Sequence, residues 1–426
     1  MDAAPAAAGA PDAAPSTAGG PPAGSILHRL AAALTYRDFR VLWLGACTSS
    51  IGTWMQKVAQ SWLVLELTDS ASYLAFDAFL GELPILLFTL IGGVVADRRD
   101  RRTLLLASQI VQMTSAFALA LLVGAGWVHV GHVLALSFVS GCAQAFGGPA
   151  YQSLIPSLVR RDHLPNAIAL NSIQFNIARV LGPTLAGLAL HRLGLTSCFT
   201  LNGLSFLVVI AALLSLRAPH TAPAVRRRMR DELRTGLVYV RDARAIRTLT
   251  VLAAASTFLG VPLLTFLPVF ARYVFQEGVE QYSYMMAFSG AGAVAGALVV
   301  AWTGRFRHMG LAALVVQVLL GILIGAFAVT REIWVSYALL AVTGASLMVV
   351  SSLFTSLVQL IAPDEIRGRV MSIYMVAYRG GMPLGNLLTG LAVDRIGAPA
   401  ALCVNGLLLA SIALWFLLRR DVPAES

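Results

Sequence analysis

The sequence predicts an all-α membrane protein, with twelve transmembrane helices arranged as two six-helix halves. Three observations carry that prediction. Hydrophobic residues make up 58% of the chain and charged ones only 12%, with a mean hydropathy of +0.76, whereas soluble domains carry roughly 25% charged residues. Apolar runs of about 20 residues, the length that crosses a hydrocarbon core, recur along the chain between charged or turn-rich breaks. Finally, the first half contains Arg161-Asp162-His163-Leu164, then Arg179 with Gly182-Pro183, then His191-Arg192-Leu193-Gly194. The second half repeats this order as Asp364-Glu365-Ile366, Arg379 with Met382-Pro383-Leu384-Gly385, and Asp394-Arg395-Ile396-Gly397. Two halves related by an axis along the membrane normal place a substrate path between them.

Residues 1–24 are rich in Ala, Pro, Gly, Ser and Thr, a composition that cannot bury a core, so 1–35 is expected to be a disordered cytoplasmic N-terminus. It lacks the basic n-region and apolar h-region of a signal peptide. The first half, 36–216, holds spans near 41–65, 73–96, 103–126, 132–158, 165–190 and 196–216, each bounded by charge or turn residues. A basic linker follows over 217–247, with nine arginines including Arg226-Arg227-Arg228, and Asp231-Glu232-Leu233-Arg234 reads as part of a surface amphipathic helix. The second half, 248–420, holds spans near 248–273, 282–303, 310–329, 333–361, 366–392 and 398–418, and 421–426 is a short tail. Of the 31 Lys and Arg residues, 24 fall in the N-terminus, the even-numbered loops and the C-terminus. The odd-numbered loops hold only Arg192, Arg272, Arg331 and Arg395. The positive-inside rule therefore predicts cytoplasmic termini.

The net charge of +10 is read by position, as arginines that orient helices, and no nucleic-acid partner is expected. Cys47, Cys142, Cys198 and Cys403 are widely spaced inside apolar runs, without disulfide or metal-ligand spacing. No His-Glu-x-x-His, P-loop or metal cluster is present, so neither a cofactor nor a metal is expected and the chain does not read as an enzyme. A membrane-embedded enzyme would need clustered acids or histidines at a membrane face, and the intramembrane charges are scattered. The Gly290-x-Gly292-x-x-x-Gly296 string lies mid-helix rather than after a strand, and reads as close helix packing.

The most distinctive stretch is Gly93-Val94-Val95-Ala96-Asp97-Arg98-Arg99-Asp100-Arg101-Arg102, a charged turn between two apolar runs. It reads either as a basic anchor or as a gate between conformations. The matching loop of the second half, Gly304-Arg305-Phe306-Arg307-His308, keeps basic residues but has no acid. An anchor needs only the former, which favours the gate. Charges inside spans are costly, roughly 2.5–3.5 kcal/mol each at a helix centre on insertion scales, and so require a partner, water or a purpose. Glu82, in the second helix just before Leu83-Pro84, is the expected proton-coupling acid, with Asp77 as a second carboxyl, because apolar surroundings disfavour an ionised carboxyl. Lys57, beside Gln56 and Gln60, either lines the cavity with Gln60 or pairs with Glu82. Arg179 and Arg379 occupy equivalent places in helices five and eleven, each shortly before a proline. They either attract an anionic or catecholate-like substrate or pair with acids. Trp54 and Tyr378 complete the expected substrate cavity; Glu66 and Asp69 belong to the outer interface.

Twelve spans in two halves, a basic central loop and Gly-x-x-x-Asp-Arg-x-x-Arg-Arg between helices two and three resemble the major facilitator superfamily. Trp62-Leu-Val-Leu-Glu66-Leu-Thr-Asp-Ser, Leu164-Pro-Asn-Ala-Ile-Ala-Leu-Asn171-Ser, Arg179-Val-Leu-Gly182-Pro183 and Gly368-Arg-Val-Met-Ser372 are similar to its bacterial exporter branch, which includes the enterobactin exporter and macrolide-efflux pumps. The resemblance covers roughly 36–420. It implies that Gly93, Asp97, Arg98, Arg101 and Arg102 act in the inward–outward switch, with Asp100 standing where the family pattern usually has glycine. The Gly182-Pro183 stretch is similar to the motif of proton-coupled antiporters and implies export, although helix four lacks the arginine many drug–proton antiporters carry there. The expectation is a secondary-active exporter in a bacterial inner membrane, acting as a monomer by alternating access, with protons and amphipathic drugs or siderophores as its partners. A proton-coupled uptake symporter of the same fold is the alternative.

Overall fold

The computed structural model describes residues 32–217 and 237–419, without the side chains of Leu90, Val94, Asp97 and Arg98. The expectations for the N-terminal tail before residue 32, for the amphipathic linker helix over 218–236 and for the tail from residue 420 lie outside these residues. Among the described residues there are twelve long helices: α1 (Arg37–Thr68), α2 (Ala71–Arg98), α3 (Arg101–Gly124), α4 (Val130–Leu158), α5 (Leu164–Leu193), α6 (Leu195–Ser215), α7 (Arg244–Val274), α8 (Val279–Thr303), α9 (Met309–Val329), α10 (Ile333–Ile361), α11 (Arg367–Ile396) and α12 (Ala398–Arg419). Ten are both long and apolar enough to cross a membrane by length and composition. The exceptions, α1 and α11, are 32 and 30 residues long, ample to span. They fall short because they carry polar residues such as Gln56, Lys57 and Gln60 on α1 and Tyr378, Arg379 and Asn386 on α11.

Local chemistry sets the breaks. Asp69 ends α1 in the left-handed conformation, φ 51°, with its N–H on the Leu65 carbonyl, a conformation that Asp tolerates better than most residues. Asp100 caps α3: its Oδ2 accepts from the Thr103 N–H at 3.1 Å and from the Thr103 hydroxyl at 2.6 Å. The acid at the family's glycine position is thus the start signal of α3. Helix α7 is interrupted by π-helical turns at Ser256–Gly260 and Phe270–Val274, with Pro262 and Pro268 between them, since each proline lacks the N–H that a regular helix would use.

Within the first half, α1 packs on α5 and α6, α2 on α4, and α3 on α4 and α6. The second half repeats the scheme, with α7 on α11 and α12, α8 on α10, and α9 on α10 and α12. The halves meet along α2–α11 and α5–α8. Small residues permit that approach: a Cβ on Gly390 would strike Ala75, and one on Gly187 would sit 2.9 Å from Ser283 Cβ.

The apolar cores show which end of the molecule is closed. The ends of α1, α2–α3, α4–α5 and α6 that carry the arginine-rich loops form one face, hereafter the basic face. There, Phe39, Leu105, Leu154 and Phe206 form a core of the first half alone, and Ile246, Phe354, Leu357 and Tyr374 a core of the second half alone. Towards the opposite face a single core takes residues from both halves, including Trp62, Leu74, Phe199, Phe266, Phe270, Tyr282 and Leu402. Polar contacts latch the same end. The Asp394 carboxylate at the end of α11 accepts from Ala71 N–H (3.1 Å), Ser72 N–H (3.3 Å) and the Ser70 hydroxyl (3.2 Å), capping the first turn of α2 from the other half. Arg272 of α7 donates to Leu65 O at 3.2 Å and lies 3.4 Å from Asp69, which also accepts from the Tyr273 hydroxyl. His191 of α5 lies 3.9 Å from Glu280 of α8. The space between the halves is sealed at this end, and the halves keep separate cores at the basic end.

Candidate functional site: a charged central cavity

The cavity can be located from helix neighbours. α1 packs on α5 and touches α2, and those are the two first-half helices that make the main contacts with the second half, so the α1 surface between them is the candidate cavity wall. That surface carries Trp54 and Lys57. Lys57 Nζ sits 5.1 Å from the centre of the Trp54 ring and the Arg179 guanidinium 5.8 Å from it, so two cations share one indole. Phe175, one turn before Arg179, meets Trp54 edge to face at 6.1 Å. Glu82 reaches Lys57 at 4.0 Å, with the lysine side chain 60% exposed, so the pair is loose and worth little by itself. Of the two readings of Lys57, the pairing with Glu82 is present as this loose contact, and the ammonium also lies over Trp54.

Helical spacing fixes the orientation of the arginines. On α5 the exposed Leu181, Leu185 and Leu188 form a lipid-facing stripe, and on α11 Leu384, Leu388 and Leu391 do the same. At 3.6 residues per turn, Arg179 and Arg379 lie on the side away from those stripes. Among the described residues no carboxylate lies within ion-pair distance of either arginine. The Tyr378 hydroxyl donates to Ser351 Oγ at 3.1 Å and its ring stacks on Tyr374 at 6.2 Å. Gly182 makes the arrangement possible, because a Cβ there would sit 2.9 Å from Ile51 O and 3.1 Å from Met55 N and press on Trp54. The helix-five glycine lets α5 touch the α1 backbone and brings Arg179 over the indole.

Behind this surface lies a hydrogen-bonded chain through the first half. Asp77, 8% exposed, accepts from both the Gln60 amide (3.0 and 2.9 Å) and the Ser137 hydroxyl. The Gln60 amide nitrogen also reaches Ser137 Oγ at 2.8 Å. Gln60 Oε1 accepts from Gln56 at 3.3 Å, and Gln56 Oε1 from Asn202 Nδ2 at 2.7 Å. Asn202 Oδ1 takes the Ser205 hydroxyl at 3.2 Å. Gln60 thus directs its amide into the packing of α1, α2 and α4 rather than into the cavity with Trp54 and Lys57. Its partner Asp77 is sealed by neutral donors, whereas Glu82 is half-open.

The profile of the transmembrane secretion effectors, a family of the major facilitator superfamily, matches residues 30–425. The chain belongs to that family. Among the relatives of this transmembrane secretion effector, the multidrug efflux pump Tap of Mycolicibacterium fortuitum is 28% identical over 396 residues, covering 89% of this chain and 96% of its own. Macrolide efflux protein A of Streptococcus pyogenes is 22% identical over 88% of this chain and 94% of its own. The staphyloferrin A transporter of Staphylococcus aureus is 24% identical over 86% and 92%. In fold, the chain matches a bacterial homologue of the human lysosomal transporter Spinster, solved inward-facing and unoccupied, with a TM-score of 0.71 at 13% identity over 95% of this chain and 100% of the other. The exporter-branch resemblance read from the sequence holds.

The structure of this secretion effector also locates the charged turn. Gly93 and Asp97 fall in the last turns of α2. The side chains of Asp97 and Arg98 lie outside the described part of the structure. Arg101 donates to Ser153 O at 2.9 Å, and Arg102 to Leu216 O at 3.1 Å and Leu214 O at 2.8 Å, so both tie the turn to the ends of α4 and α6. Nothing lies within 4 Å of a Cβ built on Gly93. Two groups escaped the sequence reading. Asp394 was visible only as the end of the helix-eleven repeat, and the Asn202–Ser205 end of the polar chain carried no signal beyond two polar residues in an apolar helix.

Proposed function

We propose that this chain is a secondary-active exporter of amphipathic small molecules, drugs or siderophores, working by alternating access and driven by proton antiport from a bacterial inner membrane. The observation that carries the reading is the asymmetry between the ends of the molecule: one shared, latched core at the face opposite the arginine-rich loops, and two separate cores at the basic face. By the positive-inside rule the basic face is cytoplasmic, so the cavity is the inward-open state of a pump that collects substrate from the cell. Family membership and the efflux proteins among the relatives support outward transport.

Glu82 is the acid assigned to proton exchange. It borders the cavity and has Lys57 as a cation that can stabilise it when deprotonated. Asp77 stands behind it, holding α2 to α1 and α4 through Gln60 and Ser137. The 93–102 turn acts as the cytoplasmic gate, with Arg101 and Arg102 fixing it to the first half and Gly93 and Asp97 on the end of α2 that must meet the second half when the cytoplasmic side closes. The chain acts as a monomer, since each molecule has its own cavity. The experiment is accumulation of candidate drugs and siderophores in energised everted membrane vesicles. Uptake that collapses on adding a protonophore is expected. Accumulation in intact cells but not in everted vesicles would establish the uptake symporter instead.

A further inference from the structure

We infer that the substrate of this cavity is an anionic amphipath, a carboxylate or similarly charged group attached to an aromatic or apolar body, and that Arg179 receives the charge. The inference rests on the export reading for its direction but on geometry alone for its chemistry. An arginine carries five N–H donors and is always charged. Arg179 makes no hydrogen bond and no ion pair with any described residue, and its company is the Trp54 ring at 5.8 Å. A structural arginine in a membrane protein is normally paired, because an unpaired charge away from water is costly. Arg379 repeats the situation from the other half, exposed, unpaired among the described residues and on the cavity side of α11.

The charge balance around the cavity points the same way. Helical spacing puts Lys57, Arg179 and Arg379 on the cavity side, and among the described residues the acid found beside them is Glu82, which already has Lys57. Asp77 is not available to a ligand, because the Gln60 amide and the Ser137 hydroxyl occupy its oxygens. An anion entering from the basic face meets a net positive wall, and a cation meets repulsion. Trp54 and Phe175, at 6.1 Å edge to face beside Arg179, offer the aromatic platform on which the body of such a molecule rests.

The test uses two probes of one shape and opposite charge, 2-naphthoate and 2-naphthylmethylammonium, with equilibrium binding to the full-length protein in nanodiscs. The account expects the carboxylate to bind at least tenfold more tightly than the ammonium. A charge-assisted hydrogen bond is worth roughly tenfold to a hundredfold in affinity, so R179Q should lose about that factor for the carboxylate and bind the ammonium no less tightly than the unmodified protein does. R179K, which keeps the charge, should retain most of it and shows that loss in R179Q is not misfolding. Equal or tighter binding of the ammonium by the unmodified protein, or an undiminished carboxylate affinity in R179Q, overturns the inference. Transport of the ammonium in energised everted vesicles alongside such a result would leave the export reading standing while this one falls. Preferential carboxylate binding without transport would do the reverse.

Discussion

An alanine at position 182 puts a methyl carbon into the closest α1–α5 contact at the cavity. Its Cβ would lie 2.9 Å from Ile51 O and 3.1 Å from Met55 N, a few tenths of an ångström inside ordinary contact distance. Both atoms belong to the α1 backbone, so neither can rotate away as a side-chain tip would. Relief requires α5 to withdraw from α1, which carries Arg179 off the Trp54 ring. Overpacking of this kind costs about 1–3 kcal/mol. We expect Gly182→Ala to lower the unfolding midpoint of the purified protein and to weaken carboxylate-probe binding, both measured in detergent. Gly93→Ala is the control: nothing lies within 4 Å of its added carbon in this state, and glycine-to-alanine changes within helices gain up to about 1 kcal/mol. It should leave the midpoint unchanged or raise it. A Gly182→Ala protein as stable as the parent with unaltered binding would show that the close helix approach is not what positions Arg179.

Asp394→Ala removes the acceptor for Ala71 N–H, Ser72 N–H and the Ser70 hydroxyl, a cap worth about 0.5–2 kcal/mol. The closed end should open more often, read as faster labelling of a cysteine placed at Val393 by an impermeant maleimide added outside cells. Equal labelling rates would remove Asp394 from the latch. Glu82→Gln should abolish transport driven by a pH gradient while the protein still inserts, and undiminished coupled transport in that variant would take Glu82 out of the coupling step. Asp77→Asn leaves a single acceptor oxygen for the donors of Gln60 and Ser137, so it should lower thermal stability by about 1–3 kcal/mol, measured against Glu82→Gln, which should not. Asp97→Asn should slow substrate exchange across proteoliposomes more than it weakens equilibrium binding; a change in affinity alone would argue against a gating role.

The helices were legible because apolar length is a direct consequence of bilayer thickness. Their ends were less so. The first span reads as 41–65 from hydropathy but runs Arg37–Thr68, because tertiary contacts and the left-handed Asp69 decide where it stops. Arg179 and Arg379 could be paired across the halves from the repeat alone, and their place away from the exposed leucine stripes follows from helical periodicity. That no described carboxylate pairs with either could not be read there, since it depends on where α1, α2 and α11 sit. Gln56 and Gln60 were legible as one polar face, but the sequence does not say that Asn202 and Ser137 await them on α6 and α4. The Asp394 cap on α2 joins residues more than 320 positions apart, a contact that exists only because the halves dock along α2–α11. The four cysteines, whose spacing in the sequence is not that of disulfides, are all free. The Gly290–Gly296 string does serve close packing, against Arg179 O on α5 and Ala345 on α10.

Two distances across the halves test alternating access most directly. Trp127 and Arg331 lie in the connections α3–α4 and α9–α10 at the latched face, and Arg160 and Asp364 in those of α4–α5 and α10–α11 at the basic face. Spin labels on each pair, measured with and without substrate and across a pH range, should show reciprocal motion: the first pair separates as the second approaches. The unliganded protein should populate the state with the first pair close. Both distances holding constant under conditions in which the protein transports would contradict a cavity that opens alternately to its two faces.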